Sequence, residues 1–275
     1  MKKFTALLTA ILLTVAVCLP VFAADDGKFS VTLRIEGIEG NISYKTYETD
    51  KTNMADFIAE ADASDDSIKF TVEESQYGAY VSAINDEKEG TFGGYDGWCF
   101  LVNGEQSQTG MSSVTLKDND SIVFYYSCDG MQFPQINTDK LSEGIISWTS
   151  DDVTYDASYN PTVTTNPVKG ATVTWYSGDT CRQYVTDDNG AVRIDSGLLT
   201  GGAHKISIEK KGDNGEPLVL RYAPDYAVDI EKNEQATAEN VPTGDRGILL
   251  LCAAAVISII VFGVTFTSWK EINEN

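Results

Sequence analysis

The chain has 275 residues, of which 42% are hydrophobic, and this is enough apolar material for packed cores in one or two domains, so a wholly disordered chain is excluded. Acidic residues number 41 and basic residues 20, which gives a net charge of −21 and argues against nucleic acid as a partner, because phosphates are neutralised by basic surfaces. A single histidine, His204, argues against a serine or cysteine triad and against most histidine-based zinc sites.

Residues 1–24 have the pattern of a secretory signal peptide. Two lysines follow the initiating methionine, and an apolar run continues to Leu19. Ala23 and Ala24 supply the small residues of a cleavage site. The pattern predicts export of the chain, with an uncleaved N-terminal anchor as the alternative.

The next segment, residues 25–131, alternates strand patterns with one helix pattern. Strands are predicted over Phe29–Ile35, Ile42–Tyr47, Ile68–Val72 and Ile122–Tyr126, and from Gly97 to a turn at Asn103-Gly104. Met54, Phe57, Ile58 and Ala61 recur at the spacing of one helix face, and Asn53 precedes them as the predicted N-cap. This order predicts an α+β domain with one helix packed on a mixed sheet.

Short motifs in this segment follow the order of a known family. The motifs are Tyr77-Gly78-Ala79-Tyr80, then Gly97-Trp98, Asn103-Gly104 and Leu116-Lys117-Asp118. The segment resembles the transcobalamin C-terminal-like domain, a β-grasp-like module found at the end of animal cobalamin carriers and in many secreted bacterial proteins. The resemblance implies that the chain binds cobalamin or another corrinoid. The carriers hold the corrin against an α-helical barrel, and no sequence pattern of such a barrel is present here.

Aromatic residues near three glycines are the candidate ligand contacts. The predicted ligand-binding residues are Tyr77, Tyr80, Tyr95, Trp98 and Phe100. Flat rings beside flexible backbone can form a platform for a planar ligand through stacking and apolar burial. Trp98 and Phe100 share one face of a predicted strand, so a role in the core is the alternative for both.

The sequence offers two further kinds of candidate site. Cys99 and Cys128 would lie opposite each other if their strands pair antiparallel, and a disulfide there would close a loop of about 28 residues. Free thiols are the alternative. Acid-rich turns at Asp118/Asp120 and Asp187/Asp188 lack the spacing of a calcium loop, so ordinary turns are expected, with no metal or cofactor.

Residues 137–236 alternate apolar and polar positions without a helical period, which predicts an all-β sandwich. The stretch Pro167–Trp175 and the later series Thr186–Gly190 follow the pattern of carboxypeptidase-regulatory and transthyretin-like domains, which this segment resembles. The series Thr186–Gly190 is predicted to be a hairpin turn in which Gly190 adopts positive φ.

Residues 237–246 form a polar linker that contains Pro242, Thr243 and Gly244. The motif resembles the sorting signals of Gram-positive surface proteins, although no residue separates Pro242 from Thr243. The resemblance implies a sortase as a partner and attachment to the cell wall, with retention in the membrane as the alternative.

An apolar segment, residues 247–269, follows the linker. It is uncharged and long enough, at about 1.5 Å per residue, to cross a bilayer core of about 30 Å as a helix. The pattern predicts a stop-transfer helix, with residues 270–275 in the cytoplasm and the rest of the mature chain on the extracellular face of the membrane.

Two hypotheses of function follow from the sequence. The first is a surface-anchored binding protein that captures a small ligand, a corrinoid among the candidates, with a transporter as a further partner. The second is a non-catalytic structural or adhesive surface protein. An enzyme is disfavoured, because no nucleophile–base pair or metal-ligand cluster is visible in the sequence.

Overall fold

The computed structural model describes residues 27–75, 78–107, 109–158 and 160–230. The described residues form sixteen strands and one α-helix, so the chain is β-rich. No helix in these ranges is both long and apolar enough to cross a membrane. The predicted signal peptide, sorting motif and transmembrane helix lie outside the described residues.

The first half of the described chain contains a five-stranded sheet, a three-stranded sheet and the helix. Its elements are β1 (Phe29–Glu36), β2 (Asn41–Thr49), α1 (Met54–Ser64), β3 (Phe70–Ser75), β4 (Gly78–Ile84), β5 (Glu87–Lys88), β6 (Gly97–Val102), β7 (Glu105–Gln106) and β8 (Asp120–Ser127). The large sheet has the order β2-β1-β8-β6-β7, in which β1 and β8 are parallel and the other neighbours are antiparallel. The small sheet has the antiparallel order β3-β4-β5.

The predicted amphipathic helix is confirmed as α1. The Asn53 side chain accepts hydrogen bonds from the backbone N–H groups of the first turn, which otherwise lack partners. The four predicted core residues of α1 are buried with Val31, Leu33, Ile35 and Phe124 of the large sheet. The helix therefore covers one face of that sheet.

The second half of the described chain forms two packed sheets. Its strands are β9 (Gln135–Asn137), β10 (Ile145–Tyr155), β11 (Pro161–Pro167), β12 (Thr172–Ser177), β13 (Thr180–Val185), β14 (Ala191–Arg193), β15 (Gly202–Glu209) and β16 (Ala227–Ile230). One sheet has the order β11-β10-β14 with β9 also paired to β10, and the other has the order β13-β12-β15-β16. Trp148 of the first sheet and Trp175 of the second are both fully buried in one core.

The predicted hairpin at Thr186–Gly190 is wrong, although Gly190 does have positive φ, at 69°. β13 before the turn pairs with β12, and β14 after it pairs with β10, so the turn carries the chain from one sheet to the other. A Cβ on Gly190 would lie 2.3 Å from the carbonyl oxygen of Trp148. The close approach of the backbone of β10 therefore requires glycine here.

The two halves meet at a contact region that we call the junction. There, Leu220 packs on Leu101, Val123 and Tyr125, which lie on the face of the large sheet opposite α1. The backbone of Gln132 exchanges hydrogen bonds with residues 218 and 220, which form a parallel bridge that fixes the two segments to each other. The face of the large sheet opposite α1 is thus covered by the second half around Leu101, Val123 and Tyr125.

A group of charged side chains is buried at the junction. Glu36 is 3% exposed, and one of its oxygens accepts a hydrogen bond of 3.2 Å from Nε of Arg221. Arg34 lies 3.4 Å from the other oxygen of Glu36 and donates to the backbone carbonyl of Arg221 at 2.9 Å. A buried carboxylate is costly unless it is paired, so the two guanidinium groups make its burial possible.

Candidate functional site

An open cleft of about 350 Å³ lies where β4 and β6 meet the short 3-10 turn Met111–Ser113. Its lining includes four aromatic residues, Tyr80, Trp98, Phe100 and Phe124. Three of the five predicted ligand-binding residues, Tyr80, Trp98 and Phe100, therefore line the same cleft. They meet because β4 and β6, which belong to different sheets, lie side by side here.

Trp98 belongs to the core and also lines the cleft. It is 8% exposed, its Nε1 donates to the backbone carbonyl of Glu87 at 2.9 Å, and its ring packs edge-on against Tyr126 at 5.6 Å. The indole is therefore held in one orientation, with its N–H already satisfied. Any contact that it makes with a ligand is through the carbon surface of the ring.

Phe100 and Tyr80 are more accessible than Trp98. The ring of Phe100 is half-buried and lies tilted against Phe124, with their centres 5.6 Å apart. The hydroxyl of Tyr80 donates toward the carboxylates of Glu73 at 3.3 Å and Glu89 at 3.4 Å. Partial burial, together with these two carboxylates, raises the pKa of Tyr80. One end of the cleft is therefore aromatic and bordered by negative charge.

Of the remaining two predicted ligand residues, only Tyr95 is described, and it is not in the cleft lining. Tyr95 lies on the loop between β5 and β6 and is fully exposed. Asp96 anchors this loop by accepting hydrogen bonds from the backbone N–H of Phe92 at 2.9 Å and from the hydroxyl of Tyr126 at 2.6 Å. Tyr77 lies outside the described residues.

The polar side of the cleft was missed by the sequence reasoning. Gln106, Ser107 and Thr109 contribute to the lining, and Nε2 of Gln106 donates to the hydroxyl of Tyr125 at 2.9 Å. The turn Asn103-Gly104, with φ values of 54° and 83°, reverses the chain and places these residues beside β6. The turn itself was predicted from the sequence. The same signal could have been used to place the strand after it, β7, at the edge of the sheet.

The predicted disulfide between Cys99 and Cys128 is not formed, and both thiols are free. β6 and β8 do pair antiparallel, which was the condition for this disulfide, but the register places Cys99 opposite Tyr125. Because side chains alternate between the two faces of a sheet, Cys128 follows on the face opposite that of Cys99. Cys128 packs in the core with α1. Burial raises the pKa of its thiol to about 11, and the nearby charge of Asp96 adds to this effect.

The acid-rich turns use their carboxylates to hold the backbone. Asp120 accepts from the backbone N–H of Lys117 at 2.7 Å, and Asp118 accepts from that of Ser30 at 2.9 Å. Asp187 accepts from the backbone N–H groups of Asn189 and Ala191, each at 2.9 Å. These bonds account for the acids as turn-forming residues.

Comparison with known proteins matches part of the chain. Residues 64–128 fit a family described as a domain of unknown function (DUF4430), and this range falls inside the predicted domain of residues 25–131. No curated protein matches the chain.

Among the solved structures that match, two are each similar to 36% of this chain. One is haptocorrin in complex with Cbi, with a TM-score of 0.33 and 20% identity, and the match spans 25% of the haptocorrin chain. The other is a Ruminococcus gnavus protein provisionally described as metal-binding, with a TM-score of 0.29 and 16% identity over 96% of its chain.

Proposed function

We propose that this chain is an exported, membrane-anchored binding protein, and that the cleft between β4 and β6 captures a small ligand with a flat apolar part. The observation that carries the proposal is the convergence of Tyr80, Trp98 and Phe100 on one open cleft. In this proposal residues 25–131 are a β-grasp-like module of the transcobalamin C-terminal type, and residues 137–236 are a transthyretin-like sandwich that links it to the anchor.

The size of the cleft limits the ligand. A volume of about 350 Å³ is at the lower end of the range for small-molecule sites, which is about 300–1,000 Å³. One ring system fits this space. A corrinoid, the ligand that the sequence resemblance implies, would be held by one edge or one ring substituent, with the rest of the molecule in solvent. We therefore expect modest affinity, with a dissociation constant of about 1 μM or weaker.

The charge around the cleft favours neutral or cationic ligands. Glu73 and Glu89 lie at the Tyr80 end, and the whole chain carries a net charge of −21. An anionic ligand would approach against this field, and the effect would weaken as salt is added.

A binding role without catalysis is part of the same proposal. The one histidine of the chain, His204, lies in the second half, with a ring nitrogen 3.2 Å from the carbonyl oxygen of Tyr176 and its ring stacked on Trp175. It is 3% exposed, so it is not placed to exchange protons with a ligand of the cleft.

A second candidate function, adhesion, is favoured by the ribbon that β10 and β11 form at their far ends. Every residue of the ribbon from Asp151 to Tyr155 and from Pro161 to Asn166 is exposed. Val153 pairs directly with Val163, and the two are 46% and 59% exposed. An apolar pair on a ribbon with free edges is a plausible contact for another protein.

The test is a calorimetric titration of the full chain with cobinamide and with cobalamin. We expect Phe100→Ala to raise the dissociation constant several-fold, since one stacked aromatic contact contributes about 1 kcal/mol beyond the area that it buries. Tyr95→Ala is the matched control, because it removes an aromatic ring from the same half of the chain but outside the cleft lining. If neither corrinoid binds, the hypothesis of a corrinoid ligand is refuted. If the two variants have equal effects, the hypothesis that the ligand binds in the cleft is refuted.

A further inference from the structure

A second depression, which we call the outer groove, lies on the sandwich in the second half of the chain. It has a volume of about 590 Å³ and lies over the solvent-facing side of β9, β10 and β14. Its floor is formed by one row across the three strands, in which Ser147 of β10 lies between Asn137 and Ala191. Because Ser147 and Ala191 are small and their neighbours are long, the sheet surface is hollow at this point.

The charged side chains of the outer groove are balanced, although the chain as a whole is strongly acidic. Its lining includes two carboxylates, Asp139 and Asp187, and two cations, Lys140 and Arg193. None of the four takes part in an ion pair within the described residues. The groove therefore offers both acceptors and donors that have no charged partner of their own.

Two of these charged groups are held in place by the backbone. Oδ1 of Asp187 accepts from the N–H groups of Asn189 and Ala191, and these bonds lower the pKa of Asp187, so it stays ionised at neutral pH. Nη1 of Arg193 donates to the carbonyl oxygen of Glu143 at 2.8 Å. Each group keeps further atoms free for a ligand. Fixed donors and acceptors reduce the entropy lost on binding.

From this arrangement we propose that the outer groove binds a neutral saccharide. The hydroxyl groups of a sugar both donate and accept, so a sugar can bond to Asp187 and Arg193 on the β14 side of the groove and to the amide of Asn137 on the other side of β10. The two carboxylates and two cations of the lining sum to zero, so the lining itself gives no net attraction to an anion or a cation. The apolar part of the lining is limited to Ile145, Ala191 and Val192, and this small apolar surface does not favour an aromatic or strongly hydrophobic ligand.

This site is independent of the cleft between β4 and β6, since it shares no residue with it. A saccharide site on the sandwich would let an exported protein attach to glycans while the cleft takes a different ligand. Apart from Asp187, which belongs to an acid-rich turn noted in the sequence, the groove residues carry no motif, because the groove is created by the alignment of three strands.

The test is saturation-transfer NMR of the full chain with four neutral probes, namely cellotriose, maltotriose, mannotriose and diacetylchitobiose. We expect at least one probe to bind with a roughly millimolar dissociation constant, and we expect low and high salt to give the same value because the ligand is uncharged. Ser147→Gln fills the floor and should weaken binding by about tenfold or more. Thr149→Gln is the matched control, because it enlarges the next residue on the same face of β10 outside the groove.

Arg193→Met gives a second, independent readout, since it removes the fixed donor from an exposed position with little effect on folding. It should also weaken binding by about tenfold. The proposal is overturned if none of the probes binds, if Ser147→Gln and Arg193→Met bind as tightly as the parent chain, or if glycylglycine, a zwitterion, binds more tightly than every sugar.

Discussion

The buried ion group at the junction predicts that Arg221 stabilises the contact between the two halves of the chain. Replacing Arg221 with Met removes the 3.2 Å bond to Glu36 and two donations to the carbonyl oxygens of Gly37 and Ile38. Glu36 is 3% exposed and keeps only Arg34, at 3.4 Å, as a charged partner. Because removal of one partner of a buried pair leaves the other charge uncompensated, we expect the free energy of unfolding to fall by about 3 kcal/mol.

The measurement is urea unfolding of the purified chain, followed by tryptophan fluorescence. Lys211→Met is the control, because Lys211 and Glu39 form an ion pair that also joins the two halves but is exposed to solvent. An exposed pair contributes little, so this variant should unfold almost as the parent does. If Arg221→Met is as stable as Lys211→Met, burial does not strengthen the contact that Arg221 makes with Glu36, and the prediction is wrong.

Three further predictions follow from single contacts. Gly190→Ala should lower the free energy of unfolding by about 2 kcal/mol or more, and by more than Gly215→Ala does. Both positions have positive φ, but of the two only a Cβ at Gly190 would meet neighbouring backbone. Burial and Asp96 raise the pKa of Tyr126 to about 12, so the protonated tyrosine stabilises the fold fully below its ordinary pKa of about 10, and this stabilisation is lost as the pH rises toward 12. Tyr126→Phe should therefore reduce the fall in the free energy of unfolding, measured by urea unfolding, between about pH 10 and pH 12. An unchanged fall in the variant would contradict this prediction. Glu89→Gln should reduce the preference of the cleft for a cationic over a neutral aromatic probe, and a preference unchanged at low salt would refute the role of the acidic border.

Local patterns in the sequence predicted local structure well. The helix face of α1, its Asn53 cap and the turn at Asn103-Gly104 depend on residues that are close in sequence, and all three were found as predicted. The antiparallel pairing of β6 and β8, on which the disulfide hypothesis depended, was also found. The register expected in that hypothesis, with Cys99 opposite Cys128, was wrong, because Cys99 lies opposite Tyr125. Since neighbouring residues of a strand lie on opposite faces, a small difference in register decides whether two thiols can meet.

The candidate cleft was predicted only in part, for a related reason. Tyr80, Trp98 and Phe100 were recognised by residue type, yet Tyr95, which has the same chemistry, is exposed on a loop away from that lining. Side-chain type alone does not distinguish the two situations. The distinction comes from β4 lying beside β6, a contact between different sheets that no local pattern encodes.

Contacts between distant residues were least accessible from sequence. Arg34 and Arg221 are 187 positions apart and carry no periodic signal that joins them. The same holds for the outer groove, where Asn137, Ser147 and Ala191 come from three strands. Each of these residues is unremarkable alone, and its role depends on the strands that pack beside it.

The junction also restricts where the first half of the chain can bind anything. α1 covers one face of the large sheet, and the segments around Gln132 and Leu220 cover the part of the other face formed by Leu101, Val123 and Tyr125. Aromatic residues of β6 can therefore reach a ligand only at the edge where the sheet meets β4. There, Trp98 and Phe100 line the cleft, while Leu101 of the same strand packs in the junction. A ligand that contacts these two rings finds its second surface on β4 and the turn at Met111–Ser113, because α1 already occupies the sheet face on which the two rings lie.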